Sequence, residues 1–303
     1  MFVSVCVKCG TTWALATMHH ARARGKPAPY DDIHTEVRWP DLVHYPGQSM
    51  EERIELLKKM HAIYPFSIYK THFAPPTIKL RNDSFYIVGV RNPLDAVASL
   101  KPFLRNHNPN FAKIWGGFPV EAGKPPGPNE DKTYEYMILH DIGNGVPMLD
   151  FFITDLVHSW WPYRKHKNVL FVHYSDRLKD HKGEIDRMAR FVGVNLTADE
   201  LDAVAEQTSF ETMKNSSSKY NPHAIFDEYK ANGKLPRDLG GWMKDLVNLG
   251  GKRNAKSELS PEFIEKMVAK LNSDFPPEVV TWLLHGGHEV PDVELRPKRP
   301  YET

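Results

Sequence analysis

Val5-Cys6-Val7-Lys8-Cys9-Gly10-Thr11-Thr12-Trp13 is the stretch that decides how this chain reads. The apolar run ahead of it, Phe2 to Val7, predicts a buried parallel strand. Lys8-Cys9-Gly10 turns the chain, Thr11 and Thr12 suit the first positions of a helix, and a helical pattern follows from Trp13 to Arg24. A strand, a tight glycine turn and a helix N-terminus make an anion site. Unpaired backbone N–H groups and the positive end of the helix dipole face one spot. Lys8 adds a full positive charge there, and the two threonine hydroxyls add donors. That equipment suits a phosphate or a sulfate. The stretch is not a Walker A loop, G-x-x-x-x-G-K-[ST], because Lys8 precedes the only glycine. A plain strand–turn–helix junction with a surface lysine is the competing reading.

The rest of the chain sets the frame. Its 303 residues suffice for one large α/β domain or two small ones, and 41% hydrophobic with 25% charged residues is ordinary for a globular protein. A net charge of +1 gives no overall field toward nucleic acid or an anionic membrane, so neither is expected as a partner. No apolar run approaches the roughly 20 residues of a membrane span. The first residues do not resemble a secretory signal, so the cytoplasm is the expected location. The two cysteines form C-x-x-C at Cys6 and Cys9. A redox pair normally opens a helix, whereas Cys6 lies in the strand. Further zinc ligands at suitable spacing are not apparent, and no metal is expected.

Strand-like runs recur between helices. Ser49 to Glu52 reads as a capping box opening a helix from Met50 to about Ala62. Phe66–Lys70 and Phe85–Val90 read as strands, and Pro93 opens a helix to about Arg105. Residues 106–147 read as irregular; within them 108–147 is a long loop expected at an acceptor site. A helix is expected from Met148 to Arg164, a buried strand at Val169–Val172, and helices at Glu184–Val192, Asp199–Gln207 and Ser209–Lys214. Residues 215–257 lack periodicity, and helices at Pro261–Leu271 and Glu278–Leu284 close the chain. Buried strands alternating with helices predict an α/β fold, a single domain over 1–303 around a central parallel sheet.

Val90-Arg91-Asn92-Pro93-Leu94-Asp95-Ala96-Val97-Ala98-Ser99 repeats the first design: a strand, a turn, a helix opened by proline. Arg91 sits at a strand's carboxyl end, where ligands collect in open α/β sheets, and Ser99 follows along the helix. A guanidinium and a hydroxyl there can grip a second phosphate; a structural or helix-capping arginine is the alternative.

The first stretch resembles the P-K-S-G-T-T-W loop of the cytosolic sulfotransferases, with Val7 for the proline and Cys9 for the serine. The second resembles R-N-P-x-D-x-x-x-S, the 3′-phosphate motif of the same family. Tyr69-Lys70-Thr71-His72 resembles its K-T-H, Phe171–Asp176 its strand ending in Y-E-D, and Thr208–Met213 its T-S-F-x-x-M. The resemblance spans Phe2 to Leu271. It implies a P-loop-like 5′-phosphosulfate loop and the co-substrate 3′-phosphoadenosine 5′-phosphosulfate (PAPS), with 3′-phosphoadenosine 5′-phosphate (PAP) as product.

The resemblance also implies roles for residues. His72 is the general base, with Lys8 and Lys70 stabilising charge. Lys8, Cys9, Gly10, Thr11, Thr12 and Trp13 hold the 5′ end of the nucleotide. Arg91 and Ser99 hold the 3′-phosphate, and Trp13, Tyr174, Thr208 and Phe210 line the adenine site. The family's R-K-G-x-x-G clamp has two candidates here. Gly250-Gly251-Lys252-Arg253 is preferred over Gly233-Lys234-Leu235-Pro236-Arg237 for its distance from Leu259–Glu262, within a nucleotide-covering region at 215–257. The family's leading arginine falls on Asn248. A small-molecule acceptor with a hydroxyl or amine is implied. Trp115, Phe118 and Tyr134 are candidates to line its pocket. A homodimer stays open, since the K-x-x-x-T-V-x-x-x-E signature is not evident. A kinase-like phosphoryl transferase and a catalytically silent nucleotide-binding protein are the rival readings.

Overall fold

Four short strands carry the fold: β1 (Phe2–Val5), β2 (Tyr69–Thr71), β3 (Tyr86–Val90) and β4 (Val169–His173). In the computed structural model they pair in the order β2-β1-β3-β4, all parallel. The described residues are 1–27, 30–59, 64–114, 130–141, 146–243 and 254–295. From β1 the chain crosses to one side for β2, then returns past β1 to β3 and β4. The direction of winding therefore reverses between β1 and β3, and the crevice at their carboxyl ends is where open α/β sheets take ligands.

The sequence shows why these runs are strands. Every residue of β3 is buried, as a central parallel strand requires. Gly89 is needed for close approach: a Cβ there would lie 2.7 Å from the Val5 side chain on β1. The one polar residue of β1, Ser4, is fully buried and satisfied twice. It donates to the Phe73 carbonyl (2.8 Å) and accepts from Trp160 Nε1 (2.9 Å). β2 is shorter than expected. The carbonyls of Phe66 and Ser67 are taken by Arg22 Nη1 (3.0 Å) and the Met1 amino group (2.7 Å) instead of a ladder.

The helices are α1 (Thr11–Arg22), α2 (Met50–Lys59), α3 (Pro93–Arg105), α4 (Pro109–Ile114), α5 (Glu130–Leu139), α6 (Asp155–Trp160) and α7 (Tyr174–Lys179). They continue with α8 (His181–Phe191), α9 (Ala198–Gln207), α10 (Phe210–Asn215), α11 (Ala224–Ala231), α12 (Ala255–Glu258), α13 (Pro261–Asp274) and α14 (Pro277–His285). The Ser49–Glu52 capping box forms, and Thr197 with Glu200 makes a second one at the start of α9.

Three expectations change. The helix expected at 148–164 is a π turn at Asp150–Thr154, then α6, then a 3₁₀ turn at Trp161–Tyr163. Pro162, which has no N–H, sits in that last turn. The described parts of 106–147 hold α4 and α5 rather than a continuous loop, and Asn108 Oδ1 accepts from the Asn110 N–H (3.0 Å) at the start of α4. The described parts of 215–257 hold a 3₁₀ turn at Ser217–Tyr220, α11 and α12. α12 has a local cap, Asn254, but long-range acceptors also serve both helix starts: Asp32 Oδ2 accepts the His223 and Ala224 N–H groups (2.8 and 3.0 Å), and Asp95 Oδ1 accepts that of Ala255 (2.8 Å). No local pattern announces such an acceptor.

The main core surrounds the sheet, with Trp160 and Trp161 fully buried beside it. A second cluster, Tyr45, Phe111, Phe226, Tyr229, Leu235 and Leu239, joins the 41–48 segment to α4 and α11.

Candidate active site

The turn after β1 is built on two left-handed residues. Lys8 has φ +63° and Gly10 φ +91°. Gly10 is required on two counts, its φ and its neighbour: a Cβ there would meet the Tyr174 ring at 2.8 Å. Gly10 caps α1 with no side-chain hydrogen bond, and the Ala14 N–H makes the bond to its carbonyl (2.9 Å). The amides of Thr11, Thr12 and Trp13 thus have no intrahelical acceptor, and the first turn holds no acidic residue. The helix end is bare and positive.

Arg91, leaving β3, closes the same corner. Its Nη1 donates to the Lys8 carbonyl (3.2 Å), and its guanidinium lies 4.5 Å from the centre of the Tyr174 ring. Its buried Nε has no partner among the described residues. Neither Lys8 nor Arg91 has a carboxylate within 4.0 Å among the described residues. Burial, then the Arg91 charge, lowers the Lys8 ammonium to about 8. Lys8 Nζ lies 4.2 Å from the Phe103 ring centre on α3.

β2 delivers Lys70 and His72 to the neighbouring edge. His72 Nδ1 bonds the Val5 carbonyl (2.7 Å), at the end of β1. A carbonyl only accepts, so Nδ1 carries the proton and Nε2 keeps its lone pair. Burial first, then the Lys70 charge, lowers His72 to about 4, so the ring is neutral at pH 7. Lys70 is buried, with Nζ 3.0 Å from the Trp39 ring centre. Burial lowers it to about 7, against the pull of Asp41 and Asp32 and with Lys8 adding to the fall.

The other expected nucleotide residues divide. Tyr174, at the end of β4, carries Arg91 and faces Trp13 edge-on at 5.5 Å. Trp13 is anchored by a bond from Nε1 to the Thr208 carbonyl (2.9 Å), stacks on His181 at 5.0 Å and carries the Arg177 guanidinium at 3.8 Å. The Thr208 hydroxyl is spent inside the protein, on the Val204 carbonyl (2.7 Å) and His181 Nε2 (3.0 Å). Phe210 stands 46% exposed, a free apolar ring. Ser99 is buried on α3.

Cys9 sits inside the turn. It is buried, its N–H bonds the Cys6 carbonyl (3.1 Å) and its Sγ faces the Val7 carbonyl (3.6 Å), so it closes the turn from within. Gly250, Gly251, Lys252 and Arg253 lie outside the described residues, as do Asn248, Trp115 and Phe118. Lys234, of the competing clamp, is committed to Tyr45 (2.7 Å) and Glu52 (3.5 Å). Tyr134, on α5, is buried and donates its hydroxyl to the Val97 carbonyl of α3 (2.6 Å).

Sequence reading missed an aromatic wall. Trp242 lies 5.9 Å from Trp39, 5.3 Å from His107 and 6.4 Å from Phe103 by ring centres, and Trp39 lies 6.3 Å from His72. Phe103 and His107 continue the face of α3 below Ser99, a helical spacing that was legible. Trp39 and Trp242 had no periodic signal.

The profile of the sulfotransferase domain matches residues 1–267. The chain belongs to the sulfotransferase domain family. Mouse Sulfotransferase 2A1 is 32% identical over 278 residues, 91% of this chain and 85% of that protein. Mouse Sulfotransferase 2A6 is 26% identical over 279 residues, with the same coverage of both chains. A solved mouse sulfotransferase complexed with PAP superposes with a TM-score of 0.58 at 18% identity, covering 93% of this chain and 86% of that one. Retinol dehydratase with retinol and PAP gives 0.60 at 18% identity, over 90% and 80%. The enzyme described here is a sulfotransferase, and these likenesses carry its fold. Among the described residues of this sulfotransferase, no group of three or more His, Cys, Asp or Glu is arranged to hold a metal ion. No described helix is long and apolar enough to cross a membrane.

Proposed function

We propose that this protein, as one domain over 1–303 in the cytoplasm, moves the sulfuryl group of PAPS to a hydroxyl or amine of a small-molecule acceptor. One observation carries the reading. Lys8, Arg91 and the bare N-terminus of α1 meet at one corner with no carboxylate among them, and His72 presents an unprotonated Nε2 beside it.

The residues then divide the work. The amides of Thr11 to Trp13 and the Lys8 ammonium take the 5′-phosphosulfate. Arg91, with its unpartnered Nε, and Ser99 take the 3′-phosphate; Tyr174, Trp13 and Phe210 border the base. The acceptor lies toward Trp39, Phe103 and Trp242. His72 Nε2 takes its proton as the acceptor oxygen bonds to sulfur. The bond from sulfur to the bridging oxygen breaks, and that oxygen leaves on PAP. Lys8 and Lys70 meet the charge that builds there. The low pKa of His72 belongs to the ligand-free site. Its cationic neighbours cause part of the fall, so a bound dianion raises the base toward its ordinary strength.

The test is His72→Ala. Turnover with labelled donor should fall by about 10²–10⁴, the usual worth of a positioned base. Affinity for PAP should hold, because the imidazole faces the acceptor. A variant that keeps wild-type turnover with a hydroxyl acceptor removes His72 from the mechanism.

A further inference from the structure

One short segment holds Lys70, Thr71 and His72 from outside the sheet. Arg38 runs beside β2: its N–H donates to the Ile68 carbonyl (2.9 Å), and its carbonyl accepts the Lys70 N–H (2.7 Å). Trp39 then sets its ring against the Lys70 ammonium. Asp41 completes the bracket. Its Oδ1 accepts the Thr71 hydroxyl (3.0 Å) and its Oδ2 the His72 N–H (2.7 Å).

We propose that Asp41 is the positioning carboxylate of this site, fixing the backbone of His72 and supplying the counter-charge of Lys70 while touching neither donor nor acceptor. The inference rests on the roles proposed above for His72 and Lys70.

Shape and charge both matter. An amide offers one acceptor oxygen where Asp41 uses two, so Asp41→Asn leaves the Thr71 hydroxyl or the His72 N–H without its partner. The charges around the pair are few. Lys70 is faced by Asp41, Asp32 and Lys8, and its own charge acts on His72 and His34. Asp41 is faced by Lys70 and Arg53, and burial holds its carboxyl above the usual range. Asp32 is already spent: Oδ1 on His34, and Oδ2 on the N–H groups of His223 and Ala224. Asp41 is therefore the carboxylate whose loss Lys70 should register most.

The experiment follows Lys70 by its ¹³Cε resonance against pH in the wild type, Asp41→Asn and Asp41→Glu, alongside kcat and donor KM. In Asp41→Asn, Lys70 should titrate at lower pH, and the high-pH limb of kcat should move down with it. Its kcat near neutrality should fall on the order of 10²-fold, the cost of a catalytic group displaced by about 1 Å. Donor KM should hold. Asp41→Glu, with the same charge on a longer arm, should restore the Lys70 titration but only part of kcat. An unmoved Lys70 titration in Asp41→Asn overturns the proposal. That reading needs no turnover, so it stands apart from the sulfuryl-transfer assignment, which fails instead if the wild type transfers nothing. Should Asp41→Asn not fold, Asp41→Glu decides: wild-type titration with reduced kcat supports the proposal, and wild-type kcat overturns it.

Discussion

Arg164 and Arg91 are two arginines set against aromatic rings, and they are finished differently. Arg164 lies 5.5 Å from the Trp161 ring centre and bonds Glu294 (2.8 Å), Asp292 (3.4 Å) and the carbonyls of Trp161 (3.1 Å) and Pro291 (3.2 Å). Arg91 lies 4.5 Å from Tyr174, bonds one carbonyl and leaves a buried Nε without a partner among the described residues. The first fastens residues 291–294 to the turn at Trp161–Tyr163. The second sits beside Lys8 at a corner where the N-terminus of α1 also presents free amides. Arg164 finds its anions within the chain, whereas Arg91 finds none among the described residues, and in the function proposed above the donor's phosphate supplies them.

The contrast breaks if the two arginines respond alike to removal. Arg91→Ala should weaken adenosine 3′,5′-bisphosphate by about 10–100-fold, the worth of roughly 1.5–3 kcal/mol for a charge-assisted bond. Its melting temperature should hold or rise. Arg164→Ala should lower the melting temperature and leave affinity alone. Calorimetric titration and scanning calorimetry on both variants read the two signatures. A lower melting temperature with intact affinity in Arg91→Ala would make it another structural arginine.

A smaller effect sharpens the other side of the pocket. Phe210 is 46% exposed, so Phe210→Ala should barely change stability. It should still weaken the adenosine bisphosphate by about 1 kcal/mol, roughly fivefold, the low end of base–aromatic stacking. Inorganic pyrophosphate, which has no base, should bind both proteins equally. An equal loss for the two ligands would move Phe210 off the base site.

What was legible in the sequence is what is local. β1, its glycine turn and α1 read directly because a strand, two special φ positions and a helix start are coded within adjacent residues. β3 and α3 read for the same reason. Where hydrogen-bond partners come from afar, reading stopped. α11 is capped by Asp32, β2 is cut short by Arg22 and the Met1 amino group, and Asp41 reaches His72 across a stretch with no periodicity. Cys9 shows the opposite limit. Its neighbourhood was read correctly as a turn beside a lysine, but the direction of one thiol depends on the Val7 carbonyl, which no pattern encodes.

The central claim is that this corner is short of negative charge, and protons report that directly. Burial first of all holds Lys8 and Lys70 near 8 and 7, below the ordinary 10.5, Lys8 with the Arg91 charge beside it and Lys70 against the pull of Asp41 and Asp32. Between those values and 10.5 the fold binds fewer protons than the unfolded chain, so the pair's contribution to ligand-free stability improves as pH rises through that window. Below about 7 its full cost is present. A bound dianion should push both groups back up. Titration calorimetry of adenosine 3′,5′-bisphosphate near pH 8, in two buffers of different ionisation enthalpy, measures the protons taken up. Net uptake on binding, with affinity falling as pH rises, is the expected result. Binding without uptake, or equal affinity for ATP with magnesium, would contradict the account.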